Sequence, residues 1–205
     1  MNDILVAIVK AAEAMSILEI LAVLFAVASV LYSWKENIFV YPTGIASVVI
    51  YVYLCYQSGI FADVLINVFY FIMSVYGWFK WANKKGSTQL KITRNSNQEN
   101  LLSLFAVSIL WMILFLVLTN FTTSNVPIID SFTTAVFFVG MWLMAFKKIE
   151  NWIVLIIGNL VSIPLYWYKE LYLTALLYIF LTIIAVLGFI AWRKKLVKEK
   201  NEFTF

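Results

Sequence analysis

Long stretches of this chain pass without a charge. Residues 101–129 and 171–192 contain no Asp, Glu, Lys or Arg, and about 20 apolar residues in helical form suffice to cross the hydrocarbon core of a bilayer. Lipid offers backbone amides no hydrogen-bond partner, so such segments must bond internally, as helices. Composition agrees: 63% of residues are hydrophobic and 13% charged, against roughly a quarter charged in soluble domains. The sequence predicts an all-α integral membrane protein.

Polar punctuation divides the chain into seven apolar stretches: Ile17 to Ser33, Ile38 to Tyr56, Ala62 to Phe79, Leu101 to Phe121, Ser131 to Phe146, Trp152 to Tyr168 and Leu171 to Ala191. The fifth and sixth are short and would need tilt or local thinning of the bilayer. Residues 1–16 read as a surface segment, with Ile4, Leu5, Ile8, Val9, Ala12 and Met15 at helical spacing; a frayed terminus is the alternative. With the N-terminus outside, the cytoplasmic segments hold Lys35; Lys80, Lys84, Lys85, Lys91 and Arg94; Lys147 and Lys148; and Arg193, Lys194, Lys195, Lys198 and Lys200, while Lys10 and Lys169 alone lie outside. That asymmetry predicts an N-out, C-in chain. It also accounts for the net charge of +4 without a nucleic-acid partner.

An internal repeat is visible. YGWFKW (Tyr76 to Trp81) ends the third span and LGFIAW (Leu187 to Trp192) the seventh, each with Gly and Trp four apart before a basic cluster. At the same offset of 111, Ser74 pairs with Ala185, Tyr70 with Leu181, Asn67 with Tyr178 and Asp63 with Thr174. Upstream, Glu36 and Asn37 match Glu150 and Asn151 at an offset of 114, and Gly44 then meets Gly158, which implies a three-residue change of offset around the second and sixth spans. The expected organisation is a first three-helix bundle (17–81), a linker (82–100), a lone linking span (101–121), a second bundle (131–192) and a basic tail (193–205). The lone span would make the halves parallel, and transporters place solutes where such halves meet.

In the third span Asp63, Asn67, Tyr70, Ser74, Gly77 and Trp81 alternate at spacings of four and three and so share one face. Lipid cannot satisfy an amide, so this stripe should face the interior. Asn159, Ser162 and Tyr166 repeat the pattern in the sixth span beside Pro164, and Gly44, Ser47 and Tyr51 in the second after Pro42. Packing of helices through small residues is the alternative reading of the serines and glycines. Trp34, Trp81, Trp152 and Trp192, near span ends, read as interfacial anchors, whereas Tyr70, Tyr166 and Tyr178 read as cavity walls. Gln57, in the turn after the second span, reads as an outer gate or as a cap of that turn. The chain has no His and one Cys, Cys55, so no disulfide, Cys/His metal site or activated nucleophile is expected, and no catalytic residue, metal or cofactor. Glu19 and Asp63 stand near span ends without an intramembrane basic partner, which favours transport without a coupled ion.

Two segments, YPTGIASVVIYVYLCYQSGIFADVLINVFYFIMSVYGWFKW (Tyr41 to Trp81) and IPLYWYKELYLTALLY (Ile163 to Tyr178), resemble the PnuC-type vitamin transporter family, known for nicotinamide riboside. The resemblance extends over nearly the whole chain. It implies a fold like that of the SWEET sugar transporters, in a 3+1+3 arrangement of helices. It also implies facilitated diffusion across a bacterial inner membrane, with the solute trapped by a cytoplasmic kinase. Asn67 and Asn159 would bond the solute, Tyr70, Tyr166 and Tyr178 would wall the site, and Ser74, Ser162 and Gln57 are further candidate contacts. Asn159 stands where many relatives have an acidic residue, and Glu170 where many have Gly. Nicotinamide riboside is the first-choice solute and thiamine the second; a non-transporting binding or scaffold subunit is the other reading, and whether the chain forms a homo-oligomer stays open.

Overall fold

The structure, a computed structural model, describes residues 2–83 and 90–202. Lys84 and Lys85 of the linker and residues 203–205 of the tail lie outside the described residues. The helices are α1 (Asn2–Ala14), α2 (Ile17–Trp34), α3 (Val40–Gln57), α4 (Phe61–Ala82), α5 (Asn97–Phe121), α6 (Pro127–Ala145), α7 (Glu150–Tyr168) and α8 (Tyr172–Glu202). Those from α2 to α8 are seven candidate membrane spans by length and hydropathy. The protein is an all-helical, seven-span membrane protein.

Local chemistry sets where these helices begin. Ser16 and Ser96 open α2 and α5 with capping boxes: each hydroxyl accepts from the backbone N–H three residues on, and Glu19 and Glu99 accept from the serine N–H in return. Two orphan donors are thereby satisfied at each helix start. Pro127 occupies the first turn of α6, where its missing N–H costs nothing. Pro164 lies inside α7, yet the helix continues to Tyr168, held by its neighbours.

Several boundaries differ from the sequence reading. α5 begins at Asn97 rather than Leu101, since its capping box recruits a polar first turn. α6 and α7 have 19 residues each, because polar ends are drawn into the helices, and the expected shortness disappears. The basic stretch after Ala191 is no separate tail, because α8 continues unbroken to Glu202. The N-terminal segment is a helix and packs on α8.

Packing closes a ring. α2 lies against α3, α3 against α4, α4 against α6, α6 against α7, α7 against α8, and α8 returns to α2; α5 packs on α6 from outside. More than half of the span window of α6 is buried, whereas α5 buries no residue. The linker docks too. Thr93 donates its N–H to the Lys147 carbonyl (3.1 Å) and accepts from Ile149 (3.0 Å), while Asn95 N–H donates to Glu150 (2.9 Å).

A single offset of 111 runs through the ring. Gln57 and Tyr168 end equivalent helices, Phe61 and Tyr172 begin the next, Glu36 and Lys147 both have positive φ (56° and 51°), and so do Gly59 and Glu170 (71° and 59°). Trp81 donates to the Met144 carbonyl (3.3 Å), and its counterpart Trp192 donates to that of Ser33 (3.2 Å), the counterpart of Met144. A Cβ on Gly77 would strike the Tyr41 ring, and one on Gly188 the equivalent Trp152 ring. The expected shift to 114 is therefore absent, and the match of Glu36–Asn37 to Glu150–Asn151 is fortuitous.

These contacts also correct the reading of the tryptophans. Trp152 and Trp192 are fully buried and Trp81 nearly so, and the three form a core with Tyr41, Met144 and Ile149. Their ring centroids lie 5.5 Å (Trp152–Trp192) and 6.2 Å (Trp81–Trp192) apart. They are internal plugs, not belt anchors. A charge cluster lies beside them: Lys147, 6% exposed, donates to Glu36 (2.7 Å) and sits 4.4 Å from the Trp81 ring, and Lys195 reaches the other Glu36 oxygen (2.6 Å). This is the basic end of the bundle.

Candidate functional site

All six helices of the ring contribute to a cavity of about 280 Å3. Ala26, Ser29 and Val30 come from α2, Gly44, Ser47 and Val48 from α3, Tyr70 and Ser74 from α4, Phe137 and Met141 from α6, Leu155 and Asn159 from α7, and Tyr178, Leu181 and Ala185 from α8. No charged side chain lines it. Many of these positions are partners at the offset of 111: Ala26 with Phe137, Val30 with Met141, Gly44 with Leu155, Val48 with Asn159, Tyr70 with Leu181 and Ser74 with Ala185. The two halves thus contribute equivalent backbone positions but different chemistry, and most polar groups have an apolar counterpart.

Not every hydroxyl at the wall is available to a solute. Ser29 donates to the Val40 carbonyl (2.7 Å) and Ser47 to that of Ala22 (2.8 Å), so both fasten α2 to α3. Gly44 permits that closeness, since a Cβ there would lie 3.1 Å from the Ser29 hydroxyl. Asn159 is different. It is 4% exposed, lines the cavity, and makes no side-chain hydrogen bond to a described residue. Its side chain therefore presents the cavity with both a donor and an acceptor.

Aromatic rings form one wall. Tyr178 is sandwiched between Phe137 (5.9 Å, 18°) and Tyr166 (5.1 Å, 14°), while Tyr70 meets Phe138 edge-on at 5.4 Å. Ser162 is fully buried beside Tyr178. Toward the end of the bundle opposite the basic one, Lys169 pairs with Asp130 (2.6 and 2.7 Å) and stands 5.8 Å from the Tyr166 ring. Toward the basic end, Ala185 belongs both to the cavity wall and to the tryptophan core. The cavity therefore borders the tryptophan core through Ala185 on one side and is backed by the stacked Tyr178 and Tyr166 phenols on the other.

Of the residues singled out in the sequence, Tyr70, Ser74, Asn159 and Tyr178 are brought together at the cavity, and Tyr166 and Ser162 support Tyr178 from behind. Asn67 is half-buried one turn from Tyr70 and donates to the Asp63 carbonyl of its own helix (2.8 Å); it does not line the cavity. Gln57 is exposed at the end of α3 and is not among the lining residues. The sequence reading missed Phe137 and Met141 of α6. Their partners at the offset of 111, Ala26 and Val30, were missed as well, because an apolar residue within an apolar span carries no signal of its own.

Comparison with known proteins adds the following. Residues 16–194 match the family model described as nicotinamide mononucleotide transporter. The chain is 27% identical over 183 residues to the nicotinamide riboside transporter PnuC of Escherichia coli (strain K12), with 77% of each chain covered. It is 26% identical over 184 residues to the nicotinamide riboside transporter PnuC of Neisseria mucosa, covering 84% of this chain and 70% of that one. A crystal structure of the vitamin B3 transporter PnuC shares the fold, with a TM-score of 0.71 and 24% identity over 96% of this chain and 90% of the other.

Proposed function

The chain belongs to the nicotinamide mononucleotide transporter family, and from that premise we propose that it carries nicotinamide riboside into a bacterial cell by facilitated diffusion. The observation that carries this reading is the Asn159 amide, held by no side-chain hydrogen bond to a described residue, at the wall of a cavity with no charged lining and beside stacked aromatic rings. Nicotinamide riboside has a flat pyridinium ring with a fixed positive charge, a carboxamide and a ribose. Aromatic faces attract such a cation without a formal counter-charge, and an amide complements a carboxamide or a hydroxyl. Tyr70 and Tyr178 serve as walls, with Tyr166 and Ser162 holding Tyr178 from behind, Asn159 and Ser74 form the polar side of the site, and Asn67 and Gln57 are contacts on the solute's way in.

In this reading α2–α4 and α6–α8 are parallel halves related by an axis along the membrane normal, and α5 is the lone span that makes them parallel. The matched helix ends and the reciprocal Trp81 and Trp192 bonds support it. The basic end faces the cytoplasm of the inner membrane, where a kinase that phosphorylates the delivered riboside traps it. Release stays easy because no carboxylate lines the cavity to grip the cation.

Titration of the purified full-length protein with nicotinamide riboside and with thiamine tests the solute. The riboside should bind, and thiamine should compete weakly or not at all. Binding of thiamine alone would move the assignment to a thiamine carrier, and binding of neither would leave a scaffold.

A further inference from the structure

A groove of about 510 Å3 lies on the outside of the ring, where α4 and α5 each pack on α6. Phe69 and Phe138, stacked at 3.8 Å, form part of its wall, Trp142 lies along it, and the small Ser103 and Ala106 of α5 leave the room. It is overwhelmingly apolar and runs beside spans that cross the bilayer. Water does not fill such a space favourably, and acyl chains are the apolar matter at hand.

At the basic end the lining turns polar, with Asn95, Glu99 and Lys148. Two cations there are matched: Lys148 bonds Glu99 (2.7 Å), and Arg94 lies 3.9 Å from Glu150. Lys80 is not. Its ammonium rests 4.4 Å from the Phe146 ring, itself part of the groove, and 5.7 Å from that of Tyr76, with no carboxylate paired to it among the described residues. A cation at the rim of an apolar groove complements a phosphate attached to an acyl chain.

We propose that this groove binds an anionic phospholipid of the leaflet at the basic end. One acyl chain lies along Phe138 and Trp142, and the phosphate meets Lys80. The site is separate from the solute cavity, and the inference does not depend on which solute is carried.

The test is lipid binding to the full-length protein in detergent, using phosphatidylglycerol and phosphatidylcholine with identical acyl chains, and inorganic phosphate alone. Phosphatidylglycerol should bind roughly fivefold more tightly than phosphatidylcholine, the difference expected of one basic residue at a membrane surface. K80Q should erase that preference but keep phosphatidylcholine binding, whereas A106F, which fills the groove, should weaken both lipids. If A106F fails to fold, the loss of preference in K80Q decides alone. Equal affinity for the two lipids in the unmodified protein would overturn the proposal, as would stabilisation by free phosphate equal to that by phosphatidylglycerol. A disulfide-linked dimer of A106C, made in a C55S background in membranes, would place a second copy in the groove and overturn it as well.

Discussion

Lipid and packing make different demands on a single side chain, and that difference decided which residues could be read in advance. Tyr70, Ser74, Asn159 and Tyr178 were legible because a bilayer cannot satisfy their polar groups, so they had to turn inward. If Asn159 bonds the solute, Asn159→Leu should weaken nicotinamide riboside binding by about 1–3 kcal/mol in a titration, with the folded protein recovered intact. Unchanged affinity would return the amide to a structural role. The tryptophans were misread because a Trp near a span end usually marks the interface. Here Gly77 and Gly188 stand four residues before Trp81 and Trp192, and each lets a ring from the neighbouring helix lie against the backbone, which a belt residue does not need. Glu170 offers a second residue-scale test. It is exposed, with φ of 59°, where its counterpart is Gly59, and a left-handed backbone costs a side chain about 1–2 kcal/mol. Glu170→Gly relieves that strain but frees the unfolded chain, so the melting temperature should stay level or rise; a clear fall would show that the Glu170 side chain contributes more than its backbone costs.

Apart from the C-terminal end of α8, the boundaries of the spans were legible to within about a turn because periodicity and caps are local. Their register across the repeat was not. A three-residue slip rotates a helix to within about 60° of its starting face, so the false offset of 114 still left Gly, Ser and Asn near the interior and gave no warning. The ion cluster at the basic end joins elements distant in sequence, so no local pattern announces it: Glu36 in the α2–α3 turn binds Lys147 in the α6–α7 turn and Lys195 of α8. Glu36→Gln would leave the buried Lys147 ammonium without its charge partner, at a cost of about 3–5 kcal/mol, and thermal melting in detergent should show a marked loss. Burial pushes the Glu36 carboxyl up, but hydrogen bonds and charge from Lys147 and Lys195 prevail and hold it below its ordinary value of 4.5. A lowered carboxyl contributes stability that is present above the unfolded value and lost as pH falls through the folded one. Acid melting curves should therefore fall below pH 4.5 in the parent, and this part of the fall should vanish in Glu36→Gln.

At the scale of the whole molecule, seven spans were legible from long apolar stretches between polar punctuation, whereas the closed ring was not, because the contacts of α8 with α2 and of α4 with α6 join faces that no periodicity pairs. Orientation rests on the basic residues gathered at one end. In a C55S background, Q98C at the start of α5 should resist a membrane-impermeant thiol reagent applied to intact cells, and N125C, in the exposed turn before α6, should react; the reverse pattern would invert the chain. If the chain moves a cation by facilitated diffusion, as proposed, the membrane potential should be its driving force, worth about 2.3 kcal/mol per 100 mV for one charge. Liposomes containing only this protein measure that directly. Uptake of labelled nicotinamide riboside should follow an imposed, inside-negative potassium-diffusion potential and ignore sodium or a pH step at fixed voltage. Uphill uptake driven by a sodium or pH gradient at zero potential would contradict facilitated diffusion.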